Sequence, residues 1–245
     1  MNKAIETNNN KTMQNYYKTI GALVVASAFA AGNASAEIES EVHVGYTSEY
    51  LFRGLNLGQD LVESGLDIAT EYNGLGLSAG AWYGSFTNNG TDFSELDIYG
   101  EVSKELSFAT LAVGYINYQN DTAFDVDYAE VYVSASREFY GIDTSLAYYW
   151  DVENDNDGYT ELAASKSYEI SSCLTLNAGA ALAYLAEQGQ LAHLTAKVSL
   201  DYAYSETATI SPFVAHSWSL SDDNDTYYAD TANELVAGTM LSVSF

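Results

Sequence analysis

The residues of this chain best suited to chemistry are carboxylates set two or four positions apart. Glu63, Asp67 and Glu71 form one such row and Glu95, Asp97 and Glu101 a second, and single acids follow at Glu130, Asp143, Glu161, Asp201 and Glu234. A spacing of two puts side chains on one face of a β-strand, whereas a helix would scatter them. Rows of Asp and Glu on one face attract cations and repel anions. Lys197 is the mid-strand cation that shares their parity.

Catalytic and metal-binding arrangements are poorly supported. His43 and His193 take the carboxylate parity, while His216 shares a face with Ile210, Val214 and Trp218, opposite its neighbour Ser217. His216 and Ser217 therefore cannot act as base and nucleophile. HExxH, GxSxG and phosphate-binding glycine loops do not occur, so a hydrolase has no constellation to use, and no enzyme activity and no cofactor are expected. The segment Glu153 to Gly158 begins like an EF-hand loop, but Ala164 stands where the bidentate Glu belongs, and no metal site is assigned. Cys173 has no second cysteine to pair with.

The elements that position these groups follow from the same period. From Glu41 onward, segments of ten to fourteen residues alternate polar and apolar and are separated by polar turns. Val42, Val44, Tyr46, Ser48, Tyr50 and Phe52 fall on one face of the first segment, with His43, Gly45, Thr47, Glu49 and Arg53 on the other. In the second, Val62, Leu66, Ile68 and Tyr72 oppose Glu63, Gly65, Asp67, Ala69 and Glu71. Further strands are predicted near 75–85, 94–104, 108–118, 127–137, 140–150, 159–168, 174–185, 192–203, 208–219 and 233–245, twelve in all. The fold class expected is all-β, a transmembrane antiparallel up-and-down β-barrel of about 12 strands. A secreted β-sandwich also alternates, but its strands run shorter and its corners use more proline than the single Pro212 here.

Composition agrees. Eight Lys and Arg against 34 Asp and Glu exclude a nucleic-acid partner. Residues 1–36 carry Lys3, Lys11 and Lys18, an apolar stretch from Ile20 to Ala31, and Ala34-Ser35-Ala36 before Glu37, the order of a secretory signal cleaved between Ala36 and Glu37. Residues 37–245 then form the barrel, with 5 basic and 33 acidic residues, a net charge of 5 − 33 = −28. The last strand puts Leu235, Ala237, Thr239, Leu241, Val243 and Phe245 on one face, and its terminal Phe245 resembles the assembly signal of bacterial outer-membrane barrels, which implies the barrel-assembly machinery as a partner.

With the N-terminus periplasmic, exterior connections fall at 54–60, 87–92, 119–126, 151–158, 186–191 and 220–231, and the acidic runs Asp151 to Asp157 and Asp222 to Asp230 lie in two of them. Lys104, Arg137 and Lys166 fall at periplasmic strand ends on the outward parity, where they either reach lipid phosphates or are simply solvated. Tyr50, Phe52, Tyr72, Tyr148, Trp150, Tyr184, Tyr202 and Trp218 are placed as aromatic girdles at the headgroups. Outer-membrane lipids and lipopolysaccharide are the expected surroundings.

The run Tyr50-Leu51-Phe52-Arg53-Gly54, the short link to Gly58-Gln59-Asp60, and Gly74 to Trp82 resemble the TorF-type family of proposed porins, most closely over the first third of the mature chain. The resemblance implies an outer-membrane barrel with a porin role and names no solute. The inward set, Glu63, Asp67, Glu71, Glu95, Asp97, Glu101, Glu130, Lys197, Asp201 and Glu234, is then expected to line a narrow pore passing small cationic or neutral solutes. The alternative is a non-conducting surface barrel acting through acidic loops in adhesion or envelope integrity.

Overall fold

The structure is a computed structural model, and it describes residues 38–121, 125–221 and 227–245. Twelve strands form one closed antiparallel sheet in sequence order: β1 (Glu39–Phe52), β2 (Leu55–Tyr72), β3 (Leu75–Asn88), β4 (Thr91–Glu105), β5 (Thr110–Asn120), β6 (Tyr128–Phe139), β7 (Ile142–Asp151), β8 (Tyr159–Ser171), β9 (Leu174–Leu185), β10 (Gln190–Ala203), β11 (Ala208–Ser219) and β12 (Glu234–Ser244). Closure is made by β1 on β12, from Glu41 opposite Ser244 to Thr47 opposite Gly238. A closed sheet leaves no edge of unpaired N–H and C=O groups, the condition for crossing hydrocarbon with strands. No helix among the described residues is long and apolar enough to cross a membrane.

The outer surface is apolar on all sides. Val44, Leu66, Ile98, Val113, Val133, Leu162, Val198 and Leu241 are exposed there, a band that in water would be one continuous sticky patch. Tyr72, Tyr148, Trp150, Tyr184, Tyr202 and Trp218 are exposed near strand ends, as a girdle requires. Lys104, Arg137 and Lys166 face outward at the end carrying both termini; Lys104 donates to the Gly74 carbonyl at 2.6 Å, and Arg137 lies 4.8 Å from the Phe139 ring centroid. Pro212 and His216 face outward too. The β11 register runs unbroken against both neighbours, so no bulge turns them inward, and His216 packs edge-on against Trp218 at 4.3 Å.

Three expectations are corrected. The connections expected at 54–60 and 87–92 are two-residue turns, Arg53-Gly54 and Asn89-Gly90, with positive φ at both positions of each. Two left-handed residues make the hairpin turn whose twist matches the flanking strands, so chain expected to be loop is paired instead. Second, Tyr50 and Phe52 are not girdle residues. The alternation of β1 slips between Thr47 and Tyr50, where pairing with β12 has ended and Ser48 Oγ accepts the Ala237 N–H, and the register with β2 shifts after Tyr50. The slip turns Tyr50 inward to 6% exposure, against Trp82 and Phe86. Third, the 119–126 connection is shorter at its start, because β5 continues to Asn120.

Signal residues Ala34, Ala36 and Glu37, and the loop acids Asp222, Asp223 and Asp225, lie outside the described residues.

Candidate functional site

The lumen is where the predicted residues meet. β2, β4, β6, β8 and β10 carry Asp67, Glu95, Asp97, Glu101, Glu130, Glu161 and Asp201 inward, all buried. Glu63, Lys197 and Glu234 are half-buried, and Glu71 is exposed at the end of β2, outside the enclosed region. The carboxylates do not stand alone. Tyr50 donates to Glu95 at 2.8 Å, Tyr99 to Asp67 at 2.5 Å, Tyr132 to Glu101 at 2.8 Å and Trp82 to Glu63 at 2.9 Å. His43 lies 3.6 Å from Asp67, and Asn177 donates to Asp201 at 2.9 Å. Lys197 sits over the Phe213 ring, 4.1 Å from its centroid. Tyr99 and Tyr132 each reach a carboxylate two strands away and Tyr50 one three strands away, so the rings lie across the sheet. Gly114 makes room for this: a Cβ there would meet the Tyr132 ring at 2.2 Å.

Towards the end that carries the longer connections, which we call the loop end, the lumen is filled. The two-residue turn between β1 and β2 directs Arg53 inward, where its guanidinium donates two parallel bonds to Glu130, at 2.7 and 2.6 Å. The two side chains are 1% and 0% exposed. Asn156, from the β7–β8 connection, donates to the same carboxylate at 2.7 Å, and Tyr118 donates at 3.2 Å. The Arg53 Cζ lies 4.3 Å from the ring centroid of Tyr159, 4.6 Å from Tyr149, 5.0 Å from Phe52 and 5.6 Å from Tyr228. Charge-assisted bidentate bonding and several ring faces act together on one desolvated cation. Tyr228 comes from a short 3₁₀ turn, Tyr227–Ala229, in the connection before β12, and the Gly54 carbonyl accepts the Ala232 N–H at 2.8 Å. Burial pushes the Tyr228 hydroxyl up to about 12, so at neutral pH it offers Arg53 a neutral ring.

Around this pair Phe86, Ile116, Leu185 and Ala192 complete a packed layer. A cavity of about 20 Å³, the space of one water, lies between Arg53, Glu161, His193 and Thr195. Gly54 is required beside it: its φ of +80° suits glycine, and a Cβ would lie 2.6 Å from His193. His193 also closes a chain that parity alone does not reveal. Tyr159 bonds His193 Nε2 at 3.0 Å, His193 Nδ1 bonds Thr195 at 3.0 Å, and Thr195 donates to Ser217 at 3.1 Å. Ser217 is fully buried and separated from the imidazole by the threonine, so it is not presented to a substrate.

Sequence reasoning found the acids and missed their partners. Tyr99, Tyr132, Tyr149 and Tyr159 share the inward parity of Glu101, Glu130, Asp143 and Glu161 on their own strands, a signal available among the 21 tyrosines. Arg53 had the inward parity as well, but nothing in the spacing joined it to Glu130, 77 residues away.

Residues 30–197, more than half of the sequence, match a bacterial protein family of unknown function, Gcw_chp. The chain belongs to that family. No curated protein matches it in sequence. Among solved structures, this Gcw_chp chain is similar to the COG4313 outer membrane channel from Pseudomonas putida F1, with a TM-score of 0.54 and 8% identity over 89% of this chain and 98% of that one. It is similar to the KdgM porin at 0.51 and 11%, over 84% and 99%. The outer membrane phospholipase dimer of Salmonella typhi with bound calcium scores 0.51 at 12%, over 84% and 90%. At these identities the likeness is one of fold: the protein is a closed antiparallel β-barrel of the kind these outer-membrane proteins share. Channels and an enzyme share that barrel, so the fold does not choose between them.

Proposed function

We propose that this protein is a porin-type outer-membrane channel of the kind the TorF-type resemblance implies, passing small cationic or neutral solutes by diffusion, and that its lumen is closed at the loop end in the present conformation. The observation that carries the reading is the lumenal acidity: Asp67, Glu95, Asp97, Glu101, Glu161 and Asp201 converge inside a barrel whose described residues offer Lys197 and Arg53 as inward cations. Of the ten residues named from the sequence, Glu63, Asp67, Glu95, Asp97, Glu101, Lys197, Asp201 and Glu234, with Tyr50, Tyr99 and Tyr132, are the groups a solute would pass, and Glu71 lies at the mouth. Glu130 belongs to the closed layer rather than the path. Cleavage after Ala36, assembly through Phe245 and contact of Lys104, Arg137 and Lys166 with phospholipid phosphates belong to the same reading, with lipopolysaccharide facing the loop end.

One observation favours a second reading. The layer of Arg53, Glu130, Tyr149 and Tyr159 is as dry as a protein core, as a non-conducting surface barrel allows. Single-channel current in a planar bilayer under a KCl gradient separates the two. Discrete openings with a reversal potential on the potassium side support the channel. Silence from protein shown to be folded by heat-modifiable gel mobility, in the wild type and in Arg53→Ala alike, rejects it for the surface barrel.

A further inference from the structure

The surroundings of Arg53 are organised as a binding site organises itself around a ligand. Glu130 presents both oxygens to the guanidinium and is itself fixed by Asn156 and Tyr118. Tyr149 and Tyr159 offer ring faces from the barrel wall, and Tyr228 offers one from the connection before β12. A carboxylate fork facing a planar cation between aromatic rings selects a guanidinium over a compact ammonium, because both parallel N–H bonds and the stacking need a flat, delocalised group. None of these six residues adjoins Arg53 in sequence. They come from β5, β6, β7, β8 and two loop-end connections, and the β1–β2 turn delivers Arg53 to them across the lumen. The receptor is therefore made by the wall and loops, and the occupant is separate from it.

We propose that this cage is a guanidinium-binding site at the loop end of the lumen, that Arg53 is its tethered occupant, and that occupancy of the cage closes the lumen. Its free ligands are compounds carrying an unhindered guanidinium. A tethered group competes at an effective concentration of about millimolar or above, so the intact chain responds weakly to dilute ligand while a chain lacking the tether responds fully. The proposal relies on the channel reading for its current readout alone.

Arg53→Ala in the full chain is the direct test, because N-ethylguanidinium restores the atoms removed beyond Cβ. Binding is read by calorimetry on detergent-solubilised protein shown to be folded by heat-modifiable mobility, and closure is read by single-channel current. Expected is binding of ethylguanidinium at about 1–10 mM, with ethylammonium about tenfold weaker or worse and binding lost when Glu130→Gln is added. Open time rises at least about tenfold in Arg53→Ala and falls again with ethylguanidinium. Absent binding, or equal binding of ethylammonium, overturns the site. Binding without current in any variant leaves the site standing and rejects the channel and its closure. Should Arg53→Ala not fold, Tyr228→Ala opens one wall of the cage with Arg53 in place. Phenylglyoxal then modifies Arg53 at least about tenfold faster than in the wild type, with exposed Arg137 as internal reference, and ethylguanidinium raises the rate further by displacement. A rate unchanged by both overturns the proposal.

Discussion

Glu130→Ala isolates the energetics of the closed layer. Glu130 has no exposed surface and accepts bonds from Arg53, Asn156 and Tyr118. Its loss leaves the Arg53 guanidinium buried without the carboxylate that bonds it, Glu161 across the small cavity being the nearby acid that remains. Removing one partner of a buried ion pair costs about 3–5 kcal/mol, which is roughly two to four powers of ten in the folding equilibrium. The four aromatic rings around Arg53 remain and hold the loss to that range rather than above it. Replacing both partners gives the opposite expectation. In Arg53→Met with Glu130→Leu both charges of the pair are gone, and such replacements are about neutral or stabilising by roughly 1–4 kcal/mol. The assay is urea unfolding of the barrel in lipid vesicles, followed by fluorescence of the 3 tryptophans and by heat-modifiable mobility. A Glu130→Ala barrel within about 1 kcal/mol of the wild type would show the pair to be hydrated and the layer open, and a double variant as unstable as the single one would show that shape rather than charge sets the cost.

Gly114→Ala drives a methyl into the Tyr132 ring and must break the Tyr132–Glu101 bond, costing about 1–3 kcal/mol in the same assay, and an unchanged midpoint would mean the ring does not lie over the strand. Val133→Arg, on the lipid side of β6, is expected to cost about 2–4 kcal/mol in vesicles if that position lies near the bilayer midplane, and a neutral result would displace the membrane band. Lys197→Met removes an inward cation that stacks on Phe213, and the reversal potential in a KCl gradient moves further toward potassium. An unmoved potential would take Lys197 off the ion path.

The barrel was legible because its signal is a period. Each of twelve strands repeats the same two-residue rule, and the outward set Leu235 to Leu241 on β12 falls where counting puts it. Two connections were misread for a local reason: Arg53-Gly54 and Asn89-Gly90 are tight turns, yet the polar residues near them look like loop. Tyr50 was misread because a single slip reverses parity, and β1 slips just after Thr47, where its partner strand stops. The acids of the lumen were legible from parity, but their pairing was not. Tyr50 meets Glu95 and Arg53 meets Glu130 across 45 and 77 residues of chain, set by barrel closure and shear, which spacing along one strand does not encode.

Strand number and lumen width are separable in this protein. Twelve strands enclose more space than the eight that their own side chains fill. Here the surplus is taken up near the loop end by Tyr118, Tyr149, Tyr159, Phe86 and the Arg53 turn, and lower down by phenols lying over glycines. The backbone cylinder therefore does not have to deform for a path to form. Among the described residues, Arg53 and its turn are attached to the loops by the backbone bond from Ala232 to Gly54 and by side-chain contacts with Asn156 through Glu130 and with Tyr228. Whatever draws those two connections outward removes Asn156 and Tyr228 from the cage together and leaves a buried charge pair with fewer partners and more water. The resemblance motif Tyr50 to Gly54 acquires a physical meaning in these terms. Tyr50 fixes Glu95, Phe52 and Arg53 fill the layer, and Gly54 permits the turn and its approach to His193, so these four residues build the packed layer of the lumen as well as the end of a strand.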